Sequence, residues 1–390
     1  MSEPRIQGTA EELLAEARAT TGIDVEDDDA VEPLAILLDA YNSSARFTPD
    51  GAVMKRAYVL RFLQNRLRMA RDLAAHPEIR DIELRPPLLI NGLPRTGSTK
   101  MQKTLAATGD FNFLPYWMCI NSASHTGAPH EDVRPRIAEI EDYAAWFRRA
   151  SPETRRGHDM SPLEPEEEAY VMMQSLRCRA LAGFANAHDY VAWVGRQDLG
   201  HQYRYLHDTL RYLVWQGLAD PDKPFLLKCV VNLGLEAQIR AAIPGVRIAM
   251  MHRDPVSVVP SAARLGRVFR AAYSDAEVDM SGAPERFAAG MRATMRHRAD
   301  HPDEEFHDIS YEDVRNDARS VLDGIYAFAG VEPSAATSDN VARWEADNPQ
   351  HLHGAWTYSA EEFGFTDDDV RRAFADYIDW VEAEGIAGWR

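Results

Sequence analysis

The stretch Pro87–Ala106, PLLINGLPRTGSTKMQKTLA, decides the fold. An apolar run, a turn with glycines at positions 92 and 97, and a helical pattern follow one another. That is the order of a buried strand, a tight loop and a helix start. Such a loop presents backbone N–H groups and the positive end of a helix, so it suits an anion. The nucleotide-loop spacing G-x-x-x-x-G-K-[ST] is nearly met: Gly92, Gly97 and Thr99 fall in place, but Ser98 stands where the lysine is needed. Charge comes instead from Arg95 inside the turn, with hydroxyls from Thr96, Ser98 and Thr99. The loop reads as a phosphate cradle without the lysine of an NTPase.

Further along lie three similar short apolar runs: PFLLKCVV (Pro224–Val231), VRIAMMH (Val246–His252) and EFHDISY (Glu305–Tyr311). None shows the in-out alternation of a strand with one wet face, and helical patterns separate them. This predicts an α/β fold, a P-loop-like three-layer arrangement of a central parallel sheet flanked by helices. Its ligands should lie beyond the carboxyl ends of the strands. The residues before about Arg85 read differently, as three amphipathic helices, with Thr9 and Glu12 spaced as a capping box. We expect residues 1–85 to form a helical extension packed on a main domain of residues 86–390, with homodimer formation as its alternative role. Asn121–Arg156 and Asp275–Pro284 read as substrate-side loops or lids.

Composition narrows the function. The chain has 390 residues, 45% hydrophobic, and a formal net charge of -18, with acids spread along its length. Such a surface repels nucleic acid and anionic membranes, so an anion must be held by a local, sheltered group of donors. The start, MSEPRIQGTAEELLAEA, is polar and acidic, and no apolar run approaches the roughly 18 residues of a membrane span. A cytoplasmic protein without a membrane span is expected. Cys119, Cys178 and Cys229 are far apart and read as reduced, buried residues.

A second anion site is legible in RIAMMHRDPVSVVPSAARLGRVFR, Arg247–Arg270. A buried strand delivers Arg253 to its carboxyl end, Pro255 opens a helix and Ser261 lies two turns along it. Asp254, between Arg253 and Pro255, suits a helix start better than a magnesium ligand, so no metal is expected. Two anion sites on one sheet fit a nucleotide with phosphates at both ends of its ribose.

With both motifs in this order, the chain resembles the sulfotransferases that use 3′-phosphoadenosine 5′-phosphosulfate (PAPS), in particular their bacterial branch. GLPRTGST resembles that family's 5′-phosphosulfate loop, and HRDPVSVVPS its 3′-phosphate motif. KPFLLKC followed by IPGVRIAMMHRDP is similar to the strand pair between them, and the resemblance runs from Pro86 to about Trp380. It implies that Arg95, Thr96, Gly97, Ser98, Thr99, Lys100, Arg253 and Ser261 bind the cofactor, with adenosine 3′,5′-bisphosphate as product. It also places Lys228 on the sulfonate. Two positions depart from the pattern: KCVVN has Asn232 in place of a histidine, and HGAWTYS has Trp356 in place of another.

Sulfonate transfer is an in-line displacement at sulfur, served by positioning, charge neutralisation and removal of the acceptor's proton. Arg95, with a planar fork of donors, and Lys228 are the expected cations. Asparagine cannot be a base, so the expectation moves to the glutamates of SPLEPEEEAYVMM: Glu167 first, then Glu166. These also read as first-turn acids of a helix. His158, His188, His201 and His252 show no partner in the sequence and are set aside. The aromatics and methionines of FLPYWM, AYVMM, Phe184 and Trp193 serve core packing or line a pocket for an apolar small-molecule or lipid acceptor. A P-loop kinase-like transferase and a catalytically silent nucleotide-binding protein remain as alternatives.

Overall fold

Five strands, all parallel, are ordered β2–β3–β1–β4–β5 in one sheet. They are β1 (Leu88–Gly92), β2 (Asn112–Phe113), β3 (Phe225–Lys228), β4 (Arg247–His252) and β5 (Phe306–Ser310). The computed structural model describes residues 4–348 and 358–386. β1 lies in the middle, with Leu88 opposite Leu226 of β3 on one side and Arg247 of β4 on the other. Successive residues of a strand point to opposite faces, and both faces are covered. Leu89, Ile248 and Met250 enter one hydrophobic core, while Leu88, Ile90, Ala249 and Met251 enter a second on the opposite side. That double burial is why β1, β3 and β4 are mainly apolar.

The three N-terminal helices are Ala10–Thr21, Asp28–Ser44 and Pro49–Ala75. The first opens on the capping box of Thr9 and Glu12. Their apolar faces join the first core, which runs without interruption from Ile6 through Phe62 to Leu227 and Val381. The expected loop over residues 121–156 contains a 17-residue helix, Arg134–Ala150, because Ile140, Tyr143, Ala144 and Phe147 form a buried stripe at helical spacing. A short turn, Thr154–Gly157, follows it and carries the chain to the carboxyl ends of the strands. Among the described residues, no helix is long and apolar enough to cross a membrane.

Candidate active site

β1 ends in the loop that opens the sequence analysis, and two glycines explain how close the chain runs to its neighbours. Gly92 has φ 139°, and a Cβ there would lie 2.6 Å from the Met251 carbonyl oxygen. Gly97 has φ 86°, and a Cβ would meet the Tyr311 ring at 2.9 Å. Both positions exclude side chains by space as well as by conformation. The helix Ser98–Thr108 starts directly after Gly97 with no side-chain cap, so its first N–H groups are left for a ligand.

Arg95 joins the two anion motifs. Its Nε donates to Ser261 Oγ (3.1 Å) and its Nη1 to the Gly157 carbonyl (2.8 Å), while Arg253 Nη1 donates to the Arg95 carbonyl (2.7 Å). The guanidinium carbon of Arg253 lies over Tyr311, 3.9 Å from the ring centre. Segments some 160 residues apart in sequence thus meet at one guanidinium. Ser98 and Thr99 face the same space. Thr96 is fully buried and spends its hydroxyl on the Leu93 carbonyl, and Lys100 donates to the Val314 carbonyl, so neither side chain is turned to that space. The arginines that enrich the later part of the motif are engaged elsewhere: Arg264 with Glu153, Arg267 with the Glu362 carbonyl and the Phe363 ring, Arg270 with the Ala182 carbonyl. Asp254 caps the helix Pro255–Ala271, accepting from Val256 N (2.9 Å).

The opposite wall is built around Lys228. Only 2% exposed at the end of β3, it pairs with Glu167 (2.5 Å). Burial works against its charge, but Glu167 and Glu166 outweigh that and hold its pKa above the ordinary lysine value. The glutamates divide their work. Glu168 accepts from Lys228 N (2.7 Å) and from Asn232 Nδ2 (2.9 Å), pinning the strand end, and burial pushes its carboxyl up to about 7. Glu166 Oε1 accepts from Glu167 N (2.8 Å), and its Oε2 lies 2.7 Å from His158 Nε2. Burial opposes its charge, but His158 and Lys228 prevail and hold its carboxyl below the usual range. Asn232 is fully buried, bridging Glu168 and the Tyr203 hydroxyl.

Between these walls lies a cavity of about 170 Å³. Its polar end presents Arg95, Ser98, Thr99, Lys228, Glu166, Glu167 and His158; Tyr170, Met173, Phe184, Leu265 and Phe269 make its apolar end. Two roomier hollows, one beside Thr48 and Trp146 (about 470 Å³) and one beside Pro284 and Phe365 (about 390 Å³), carry none of these residues. Trp117 and Trp193, by contrast, pack in the core.

A family model of the sulfotransferase family matches residues 86–335, well over half of the chain. The chain belongs to the sulfotransferase family. Two solved sulfotransferases are similar to it over nearly their whole length. STF1 of Mycobacterium tuberculosis is 25% identical, with a TM-score of 0.77 over 95% of this chain and 100% of that one. STF9 of Mycobacterium avium, 24% identical, shares the fold with a TM-score of 0.82 over 97% and 98%. No curated protein sequence matches at a significant level.

In this sulfotransferase the residue that sequence reasoning passed over is His158. Its partner Glu166 lies eight positions on, beyond Pro162 and Pro165. The intervening chain turns back along Leu114–Trp117, where Trp117 N donates to the Pro162 carbonyl and Glu166 N to the Leu114 carbonyl. The sign in the sequence was a histidine and a glutamate flanking a double-proline turn. The other three histidines weighed from the sequence are placed apart: His188 is exposed, His201 pairs with Asp29, and His252 is buried between Tyr377 and Asp308. Trp356 lies outside the described residues. Among those described, no three His, Cys, Asp or Glu residues are grouped to hold a metal ion.

Proposed function

We propose that the protein transfers the sulfonate group of PAPS to a hydroxyl, or an amine, of a largely apolar small molecule or lipid. The observation that carries this reading is Arg95 bonded to Ser261, which draws both phosphate motifs to the mouth of a cavity whose far wall is Lys228 and whose remainder is apolar.

The residues present suit that donor. The loop has no Cβ at the two points where its backbone is most confined, it offers the N–H groups of Ser98 and Thr99, and its one charged side chain is an arginine. Arg253 and Ser261 would take the 3′-phosphate, and the 92–99 loop the 5′ end. An NTP-dependent transfer fits less well, because the lysine slot holds Ser98 and Asp254 is committed to capping its helix. When bound, PAPS supplies an electrophilic sulfur and a phosphate leaving group. The chain's own part is then electrostatic. Arg95 and Lys228, held in a sheltered site, neutralise charge where it builds up, and such fixed charges act strongly where water is excluded. Glu167 keeps Lys228 charged and aimed; the phenylalanines and Met173 shed water from an apolar acceptor.

Incubation with 35S-labelled PAPS and an extract of apolar hydroxy compounds, with chelator present, should yield a labelled product. Transfer of phosphate from ATP, with no transfer of sulfonate, would reject the reading.

A further inference from the structure

We propose that His158 is the general base of this reaction and that Glu166 positions it; the proposal rests on the sulfonate-transfer reading above. A base must face the cavity and keep a lone pair uncommitted. Glu167 faces it, but one oxygen is paired with Lys228 and the other accepts from the Cys229 thiol (3.5 Å). Both oxygens of Glu168 take N–H donors from the strand end, and it does not line the cavity. Asn232, at the position where the resemblance expects histidine, is a buried amide with both ends engaged. Glu166 is spent on Glu167 N and His158.

Among the described residues, His158 combines the two requirements. It lines the cavity beside Arg95 and Lys228, its side chain is 12% exposed, and its Nε2 is fixed by Glu166 while its Nδ1 makes no hydrogen bond among the described residues. The ring is held by Glu166 and by the edge contact with Phe269 (5.8 Å between ring centres), and the backbone just before it is anchored where the Gly157 carbonyl accepts from Arg95. With Glu166 ionised, the proton of the neutral ring sits on Nε2 and the lone pair on Nδ1. A carboxylate that fixes an imidazole tautomer in this way is a general device of hydrolytic triads. In the step, the acceptor oxygen forms its bond to sulfur while the bond from sulfur to the 5′-phosphate oxygen breaks, its electron pair staying on the phosphate. The acceptor's proton passes to Nδ1, and Glu166 stabilises the resulting imidazolium.

The test has one readout that needs no acceptor. In the full chain labelled with 15N-histidine and saturated with adenosine 3′,5′-bisphosphate, the His158 ring should show a proton on Nε2 and a bare Nδ1. In Glu166→Gln the proton should move to Nδ1. A proton on Nδ1 in the unaltered protein overturns the proposal. The second readout uses two acceptors of unequal acidity. His158→Gln should lower kcat for 1-octanol by about 100-fold or more with KM nearly unchanged, but by less than about tenfold for 4-nitrophenol, which ionises without help. An equal loss for both, or none for octanol, removes His158 from the role of base. Calorimetry with adenosine 3′,5′-bisphosphate accompanies each variant. Binding equal to that of the unaltered protein shows that the site is folded, and absence of binding in the unaltered protein would count against the donor reading rather than against His158.

Discussion

Arg95 occupies a left-handed backbone conformation, φ 68°, that costs a residue with a side chain roughly 1–2 kcal/mol and glycine almost nothing. A side chain kept at such a position has to be used. Arg95→Gly gives up the bonds to Ser261 and Gly157 but relieves the strain. The melting temperature should therefore stay within a few degrees, whereas sulfonate transfer should fall by about 100-fold or more. Retained turnover, followed with labelled PAPS, would show that the guanidinium is dispensable. The strand ends, the glycine turn and the helix starts that carry Arg95 and Arg253 were legible in the sequence because each depends on a short local pattern. Lys228 was legible as a strand-end cation, but not as a lysine buried against Glu167. His158 was not legible, since its significance comes from a turn that folds Glu166 back upon it.

At the level of elements, the same distinction holds. β1, β3 and β4 stand out because a parallel strand buried on both faces is mainly apolar along its length, whereas the edge strand β5, with Phe306–Asp308 half-buried, carries a histidine and an aspartate. β2, two residues long, is defined only by pairing with β3 and has no pattern of its own. Arg134–Ala150 was hidden by the polar, proline-bearing sequence around it, although its stripe of Ile140, Tyr143 and Phe147 has ordinary helical spacing. That helix matters to the site, because the turn that follows it delivers Gly157 to Arg95 and His158 to the cavity. At the far edge of the sheet, His252 and Arg298 converge on Asp308, and Tyr377 of the helix Ala375–Ala383 bonds His252. This partly buried network fastens the helix Ala375–Ala383 to β4 and β5 and commits both ring nitrogens of the histidine next to Arg253.

Across the whole molecule, the N-terminal helices meet the rest of the chain around an unusual residue. Lys55, on Pro49–Ala75, is 2% exposed and lies among the rings of Tyr41, Tyr58, Phe184 and Tyr273, the last 4.0 Å away, with no carboxylate paired to it among the described residues. Burial pulls its pKa from the ordinary 10.5 down to about 7. Between those values the unfolded chain holds a proton that the folded chain lacks, so native stability rises with pH across this window. Lys55→Met should stabilise the protein by about 1–4 kcal/mol at or below neutrality, and the gain should shrink as the pH approaches 10.5. Thermal melts of both forms over that range would detect it, and a gain that does not vary with pH would mean that Lys55 holds its proton equally well in the folded and the unfolded chain.

The central claim is that the two anion sites joined by Arg95 hold one nucleotide phosphorylated at both ends of its ribose. The most direct measurement is the shift in melting temperature caused by adenosine 3′,5′-bisphosphate and by ATP at equal concentration. The bisphosphate should give the larger shift, and Arg253→Ala should abolish that advantage. Equal shifts, or a larger one with ATP, would contradict it.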